Sequence, residues 1–164
     1  MKNNIHNLQE YSSEKLAYLA GIIDGEGSIY IGNFSSNPKT GTPHYQTLME
    51  VTNTSEDLIQ WLFSTFGGRV NKYTPKQTPK NSRKPVFRWI VSGELLTHLC
   101  IRILPFLVIK IEQCKIMLEI RETFKGTGAT KGKSGCQPVN PEIIEKRKHC
   151  FEKMRSLHCR NYNK

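Results

Sequence analysis

A helical apolar stripe that runs straight into two acids and two glycines is what most limits how this chain can fold. Leu16, Leu19, Ala20 and Ile23 recur at the i, i+3, i+4, i+7 spacing of one helix face. Ser12 or Ser13 can cap that helix, and Glu14 favours its first turn. Asp24-Gly25-Glu26-Gly27 predicts its end, because two glycines weaken a helix. Gly21 costs roughly 1 kcal/mol against Ala inside a helix. With Ala17 and Ala20 it predicts a surface that another backbone can approach closely. Asp24 and Glu26 stand at the helix's C-terminal end, where the macrodipole is negative. A divalent cation would offset that repulsion. A plain Asp-Gly turn ahead of a strand is the competing reading.

The remaining pattern alternates between strands and helices. Residues 28–34 and 44–53 read as strands, the second with Tyr45, Met49 and Val51 on one face. Thr54-Ser55-Glu56-Asp57 opens a helix of capping-box type. Its apolar face is Leu58, Ile59, Leu62, Phe63 and Phe66, and Gly67-Gly68 ends it. Strands follow at 70–73 and 86–92. A short helix at 94–104 is stopped by Pro105, and 107–124 reads as a longer one. Asn140 caps a last helix that starts at Pro141 and runs to about His158. The order α-β-β-α-β-β-α-α-α predicts an α+β fold with a mostly antiparallel sheet. Residues 1–164 read as one domain: a core at about 12–124, a Gly/Lys linker at 125–139 and a C-terminal helix at 140–158.

Charge narrows the partner. The 164 residues carry 24 Lys+Arg against 14 Asp+Glu, a net charge of +10. That surplus points to a polyanion, above all nucleic acid, whose phosphates release counterions to Lys and Arg. No run approaches the ~18 apolar residues of a membrane span, and the first residues lack the pattern of a signal or transit peptide. Five cysteines with no CxxC predict free thiols in a reducing compartment. Thr127–134 nearly spells a phosphate-binding loop. However, Thr127 replaces the first Gly and a helix precedes it, so no nucleotide cofactor is expected. Cys136, His149-Cys150 and His158-Cys159 match no standard zinc spacing. Abundant Ile, Asn and Lys with only three Ala suggest an AT-rich genome. A chloroplast, a mitochondrion or a phage-infected bacterial cytoplasm would fit.

Leu19-Ala20-Gly21-Ile22-Ile23-Asp24-Gly25-Glu26-Gly27 resembles the signature of the LAGLIDADG homing endonucleases. Val51-Thr52-Asn53-Thr54 through Trp61 is similar to the family's end of strand two and its next helix. Pro105-Phe106-Leu107-Val108-Ile109-Lys110 is similar to the segment carrying a basic active-site residue. The motif occurs once, which fits the single-motif, homodimeric branch. The resemblance implies an α-β-β-α-β-β-α core with a saddle-shaped sheet, followed by further helices. It assigns metal binding to the Glu26 carboxylate and the Gly25 carbonyl. It makes Asp24 structural, gives Asn53 the ordering of catalytic water, and sets Lys110 near the scissile phosphate. Two departures stand out: Glu replaces the usual Asp at Glu26, and Asp57 occupies a position that is basic in some relatives.

With one such acid per chain, a single copy lacks a complete two-metal site. A two-fold dimer would bring two Glu26 carboxylates together where the motif helices pack, through Ala17, Ala20, Gly21 and Asp24. The implied function is a site-specific, intron-encoded endonuclease that breaks both strands of a long, near-palindromic DNA target. Mg²⁺ would serve the hydrolysis, Mn²⁺ would substitute, and Ca²⁺ would support binding without cleavage. An intron RNA maturase and a non-catalytic DNA-binding regulator are the alternatives on the same fold.

The sheet is the expected reader, because a β-ribbon fits the major groove. Alternation sends Phe87, Trp89 and Val91 to the core and leaves Arg88 for DNA. The same logic offers Tyr30, His44, Gln46, Glu50, Asn71 and Tyr73. Loop residues Lys39, Lys76, Lys80, Arg83 and Lys84 suit phosphates or outer bases.

Overall fold

The computed structural model describes residues 11–34, 43–74, 84–125 and 140–158. Helix α1 (Ser13–Glu26) packs Leu16, Leu19, Ala20 and Ile23 inward. It ends at Glu26, within the 24–27 segment that the two glycines mark. One glycine costs a helix only about 1 kcal/mol, and the last turn is closed by the Gly27 N–H on the Ile22 and Ile23 carbonyls. The chain then turns directly into β1 (Gly27–Phe34). A Cβ at Gly27 would lie 2.6 Å from the Ile23 Cα, so only glycine permits this close return.

Strands β1, β2 (His44–Asn53), β3 (Arg69–Tyr73) and β4 (Val86–Ser92) form one antiparallel sheet in the order β1-β2-β4-β3. Helix α2 (Glu56–Phe66) joins the two halves. The Ser55 hydroxyl caps it by accepting from the Leu58 N–H at 3.3 Å. Gly67 and Gly68 leave it with positive φ angles of 76° and 92°, which glycine adopts without strain. Trp89 Nε1 donates to the Gly67 carbonyl at 2.7 Å and ties that exit to β4.

Side chains alternate across the sheet. Ile29, Ile31, Tyr45, Met49, Val51, Phe87, Trp89 and Val91 share the core with the helices. Helix α3 (Gly93–Ile103) adds Leu96, Leu99, Cys100 and Ile103, and a 3₁₀ turn carries the chain through Pro105. Helix α4 begins at Ile111 (Ile111–Glu122), not at Leu107. The Leu107 N–H still donates to the Ile103 carbonyl at 3.2 Å, but Leu107 itself is extended, and Val108 and Lys110 donate their amides to the Asp24 carboxylate.

Asn140 Oδ1 accepts from the Glu142 N–H at 2.9 Å and opens α5 (Pro141–His158). Arg147 of α5 donates from Nε to Thr123 Oγ1 at 2.9 Å and from Nη2 to the Thr123 carbonyl at 2.8 Å. These bonds fasten α5 over the end of α4. No described helix is long and apolar enough to cross a membrane.

Candidate active site and nucleic-acid face

Four of the sequence-derived residues meet where α1, β2 and the 107–110 turn converge. Glu26, the last residue of α1, is exposed. Its Oε2 accepts a short hydrogen bond from Asn53 Nδ2 at the end of β2. Asn53 cannot flip freely, because its Oδ1 accepts from the Ser55 N–H at 2.8 Å. The amide nitrogen is thereby aimed at Glu26. Ser55 had no assigned role beyond the helix start, although an Asn two residues ahead of it is a recognisable turn pattern.

Asp24 has different neighbours. Its two oxygens accept from the Val108 N–H at 2.7 Å and the Lys110 N–H at 2.9 Å. Burial alone would raise the Asp24 pKa, but the backbone N–H groups of Val108, Lys110 and Ile109 and the Lys110 charge outweigh it and hold the carboxyl below its ordinary range. Backbone donors, with the Lys110 charge beside them, therefore answer the helix dipole at Asp24. Lys110 Nζ donates to the Asp24 carbonyl at 2.6 Å, two residues before Glu26. Burial lowers the Lys110 pKa, with the Asp24 charge opposing. Gly25 lies in the same last turn, between the two acids.

The exposed side of α1 carries Ala17, Gly21 and Gly25. A Cβ at Gly21 or Gly25 would meet nothing within 4 Å, so no described residue covers that side. Ala20 does not belong to it. Its relative exposure is 0% because it shares the inward face with Leu16, Leu19 and Ile23. Asp24 is half-buried against the 107–110 turn.

The opposite face of the sheet carries Leu48 and Ile90, which are buried but lie outside the cluster packed against the helices. By register it presents Tyr30 on β1, His44, Gln46 and Glu50 on β2, Arg88 on β4, and Asn71 and Tyr73 on β3. All seven were assigned there by alternation. Thr52 and Arg69 belong to the same face and were missed, Arg69 because strand β3 starts one residue earlier than its apolar pattern shows. A hollow of about 410 Å³ on this side is lined by Thr52, Asn71, Tyr73 and Arg88 with Lys72 and Val86. Lys84 is exposed at the entry to β4. Lys39, Lys76, Lys80 and Arg83 lie outside the described residues.

No family model and no curated protein matches the sequence. Solved structures do match. The homing endonuclease I-CvuI in complex with its target superposes with a TM-score of 0.69 at 19% identity, over 92% of this chain and 86% of that one. The archaeal intron-encoded homing endonuclease I-Vdi141I, complexed with DNA, gives 0.68 at 15%, over 92% and 88%. The LAGLIDADG homing endonuclease I-SmaMI, bound to cleaved DNA, gives 0.61 at 16%, over 92% of this chain but only 48% of its own. Sheet order, the helix entering the sheet at Gly27, and these superpositions together establish that the chain has the fold of the LAGLIDADG homing endonucleases.

Proposed function

We propose that this protein is a site-specific endonuclease that hydrolyses both strands of a long, near-palindromic DNA target as a homodimer, with a divalent cation. The observation that carries this reading is the contrast between its two acids. Asp24 is occupied by backbone donors, whereas exposed Glu26 is held, among the described residues, by one side-chain amide at the end of a helix face that none of them covers. That is the arrangement of an acid kept for something outside the chain.

The donor chemistry fits a hard cation such as Mg²⁺. A carboxylate from Glu26 and the Gly25 carbonyl are both oxygens, as such ions prefer. Among the described residues no three His, Cys, Asp or Glu side chains gather, so one copy offers only part of a shell. A second copy, docked along Ala17 and Gly21, would bring its own Glu26. When bound, the cations would stabilise charge on the attacking and leaving oxygens of the phosphodiester.

The chain's own residues then have distinct tasks. Asn53 fixes the direction of the Glu26 carboxylate, and its amide is also placed to order water. Lys110, anchored on the Asp24 carbonyl, supplies positive charge to the scissile phosphate. The open sheet face reads bases, and the net charge of +10 draws the duplex in. The relatives in fold were solved on DNA, which agrees with this reading.

The test is cleavage of a plasmid library carrying randomised palindromes, in Mg²⁺, Mn²⁺ and Ca²⁺. Linearisation at one long site, in Mg²⁺ or Mn²⁺ but not Ca²⁺, and its loss in Glu26→Gln, are the expected results. Specific binding without cutting in any metal would sink the endonuclease reading.

A further inference from the structure

Glu50 is an acid in the middle of the face proposed to meet DNA. Strand β2 is an interior strand of the sheet, and Glu50 faces Ser28 on one side and Ile90 on the other. A carboxylate at this position repels phosphates, so it opposes the basic character of the protein. Its side chain is only 16% exposed. Its Oε2 makes no hydrogen bond among the described residues, although Arg88 Nη1 stands 3.7 Å away. The Arg88 side chain is 49% exposed. Arg88 is the diagonal neighbour of Glu50 across β2 and β4, since Arg88 pairs with Thr52 and Glu50 with Ile90. The Tyr30 phenol is raised in pKa by its own burial, then by the Glu50 charge and a hydrogen bond to Glu50, with the Arg88 and Arg69 charges opposing, so it is Glu50 Oε2 that is left without a hydrogen bond among the described residues.

Folding alone gives this pair little reason to exist. A half-open ion pair contributes little to stability, and a largely buried carboxylate oxygen without a donor is unfavourable. Both deficits would be relieved by a ligand that offers acceptors to Arg88 and a donor to Glu50 side by side. The major-groove edge of a G·C base pair has that layout. Guanine presents N7 and O6 as acceptors, and cytosine presents its N4 amino donor next to O6.

We infer that Glu50 and Arg88 act as one reader of a G·C base pair in each half-site. Arg88 takes guanine N7 and O6, and Glu50 accepts from cytosine N4. The inference rests on the proposed DNA-binding role of this face. The pair also rejects the alternatives. With adenine under Arg88, the N6 donor meets a donor and the thymine O4 meets the carboxylate. With thymine under Arg88, a single acceptor and a methyl group replace the two acceptors that the guanidinium fork needs. The ion pair holds the fork in register before DNA arrives, and Glu50 adds discrimination at some expense of affinity.

The experiment is selection of bound duplexes from a library of randomised palindromes by the full chain in Ca²⁺. It is run on the wild type, Glu50→Gln and Arg88→Lys. Gln keeps the shape of Glu50 and adds a donor; Lys keeps the charge of Arg88 and loses the fork. The expected result is one G·C position per half-site, favoured about 5- to 150-fold by the wild type, the range for a good bidentate contact. Both variants should relax that position and leave the others unchanged. Heat-denaturation midpoints alongside would show that each variant is folded. If the wild type selects a target and both folded variants select the same one, the pair does not read bases, and DNA binding stands. If the wild type selects no sequence at all, both the DNA-binding reading and this inference fall.

Discussion

Asn53 and Glu26, 27 residues apart, are joined side chain to side chain where α1 meets the end of β2, and the Ser55 N–H fixes which end of the Asn53 amide points at Glu26. This arrangement predicts a comparable loss from two chemically different substitutions. Asn53→Asp keeps an acceptor for Ser55 but faces Glu26 with a like charge. Asn53→Ala removes both bonds. A hydrogen bond to a charged group is worth about 1.5–3 kcal/mol, so either variant should cut roughly 10- to 100-fold more slowly. Single-turnover cleavage and Ca²⁺-supported binding, measured together, check this. Binding should stay within a few-fold. An unchanged cleavage rate in both variants would remove Asn53 from the site.

Asp24 should behave as a structural acid. Asp24→Asn leaves one of two backbone donors, from Val108 or Lys110, facing an amide N–H. The expected loss is about 1–3 kcal/mol of folding stability. The sign follows from its lowered pKa. A depressed carboxyl contributes stability that is present above the ordinary value of 3.8 and is lost as pH falls through the folded pKa. Urea unfolding of wild type and Asp24→Asn should therefore differ at pH 7 and converge in acid below the carboxylate range. A difference that persists in acid would contradict the assignment.

Those two acids also show how far the sequence can be read. Strands β2 and β4 were legible to the residue, because period-2 alternation is written locally. Helix α4 was placed four residues too early, because Leu107, Val108 and Ile109 continue an apolar pattern. In the structure Leu107 is extended, with φ −72° and ψ 143°, and the turn that follows is tied to Asp24, 84 to 86 residues away, which accepts from the Val108 and Lys110 amides. No local pattern encodes that. Ala20 was a different kind of miss. The spacing of Leu16, Leu19 and Ile23 already set it on the inward face, and its small size was read as an invitation to a partner. The residue types of Glu26, Asn53 and Lys110 were legible. Their meeting depends on the sheet and on the 107–110 turn.

Gly21 separates folding from assembly. A Cβ there meets nothing within 4 Å among the described residues, so their packing tolerates a side chain. Gly21→Ala should raise helix propensity by roughly 0.8–1 kcal/mol. Gly21→Leu should also fold, but its bulk should hold two α1 helices apart. Sedimentation at several concentrations checks the outcome. Wild type should be dimeric and Gly21→Leu monomeric, with cleavage lost in step. A Gly21→Leu protein that stays dimeric would place the subunit contact elsewhere.

Lys110 supplies a prediction in alkali. Burial lowers its pKa below the ordinary 10.5, while the Asp24 charge opposes the fall. Its protonated form is thus disfavoured by folding. That contribution is unfavourable below the folded pKa and is relieved as pH rises toward 10.5. If the Lys110 charge acts on the scissile phosphate, cleavage should decline at a lower pH than an ordinary lysine would cause. Arg stays charged throughout this range. Lys110→Arg should therefore cut more slowly at neutral pH, because the guanidinium does not reproduce the contact with the Asp24 carbonyl, yet lose the alkaline decline. Lys110→Met should cut about 100-fold more slowly or worse at neutral pH, the order expected when one charged transition-state contact is removed, and the gap to wild type should close in alkali as Lys110 loses its proton. The single-turnover rate of all three proteins, followed from neutral to pH about 10 on one target, distinguishes these outcomes. An identical alkaline decline in wild type and Lys110→Arg would mean that another group titrates, and that Lys110 serves only to brace the Asp24 turn.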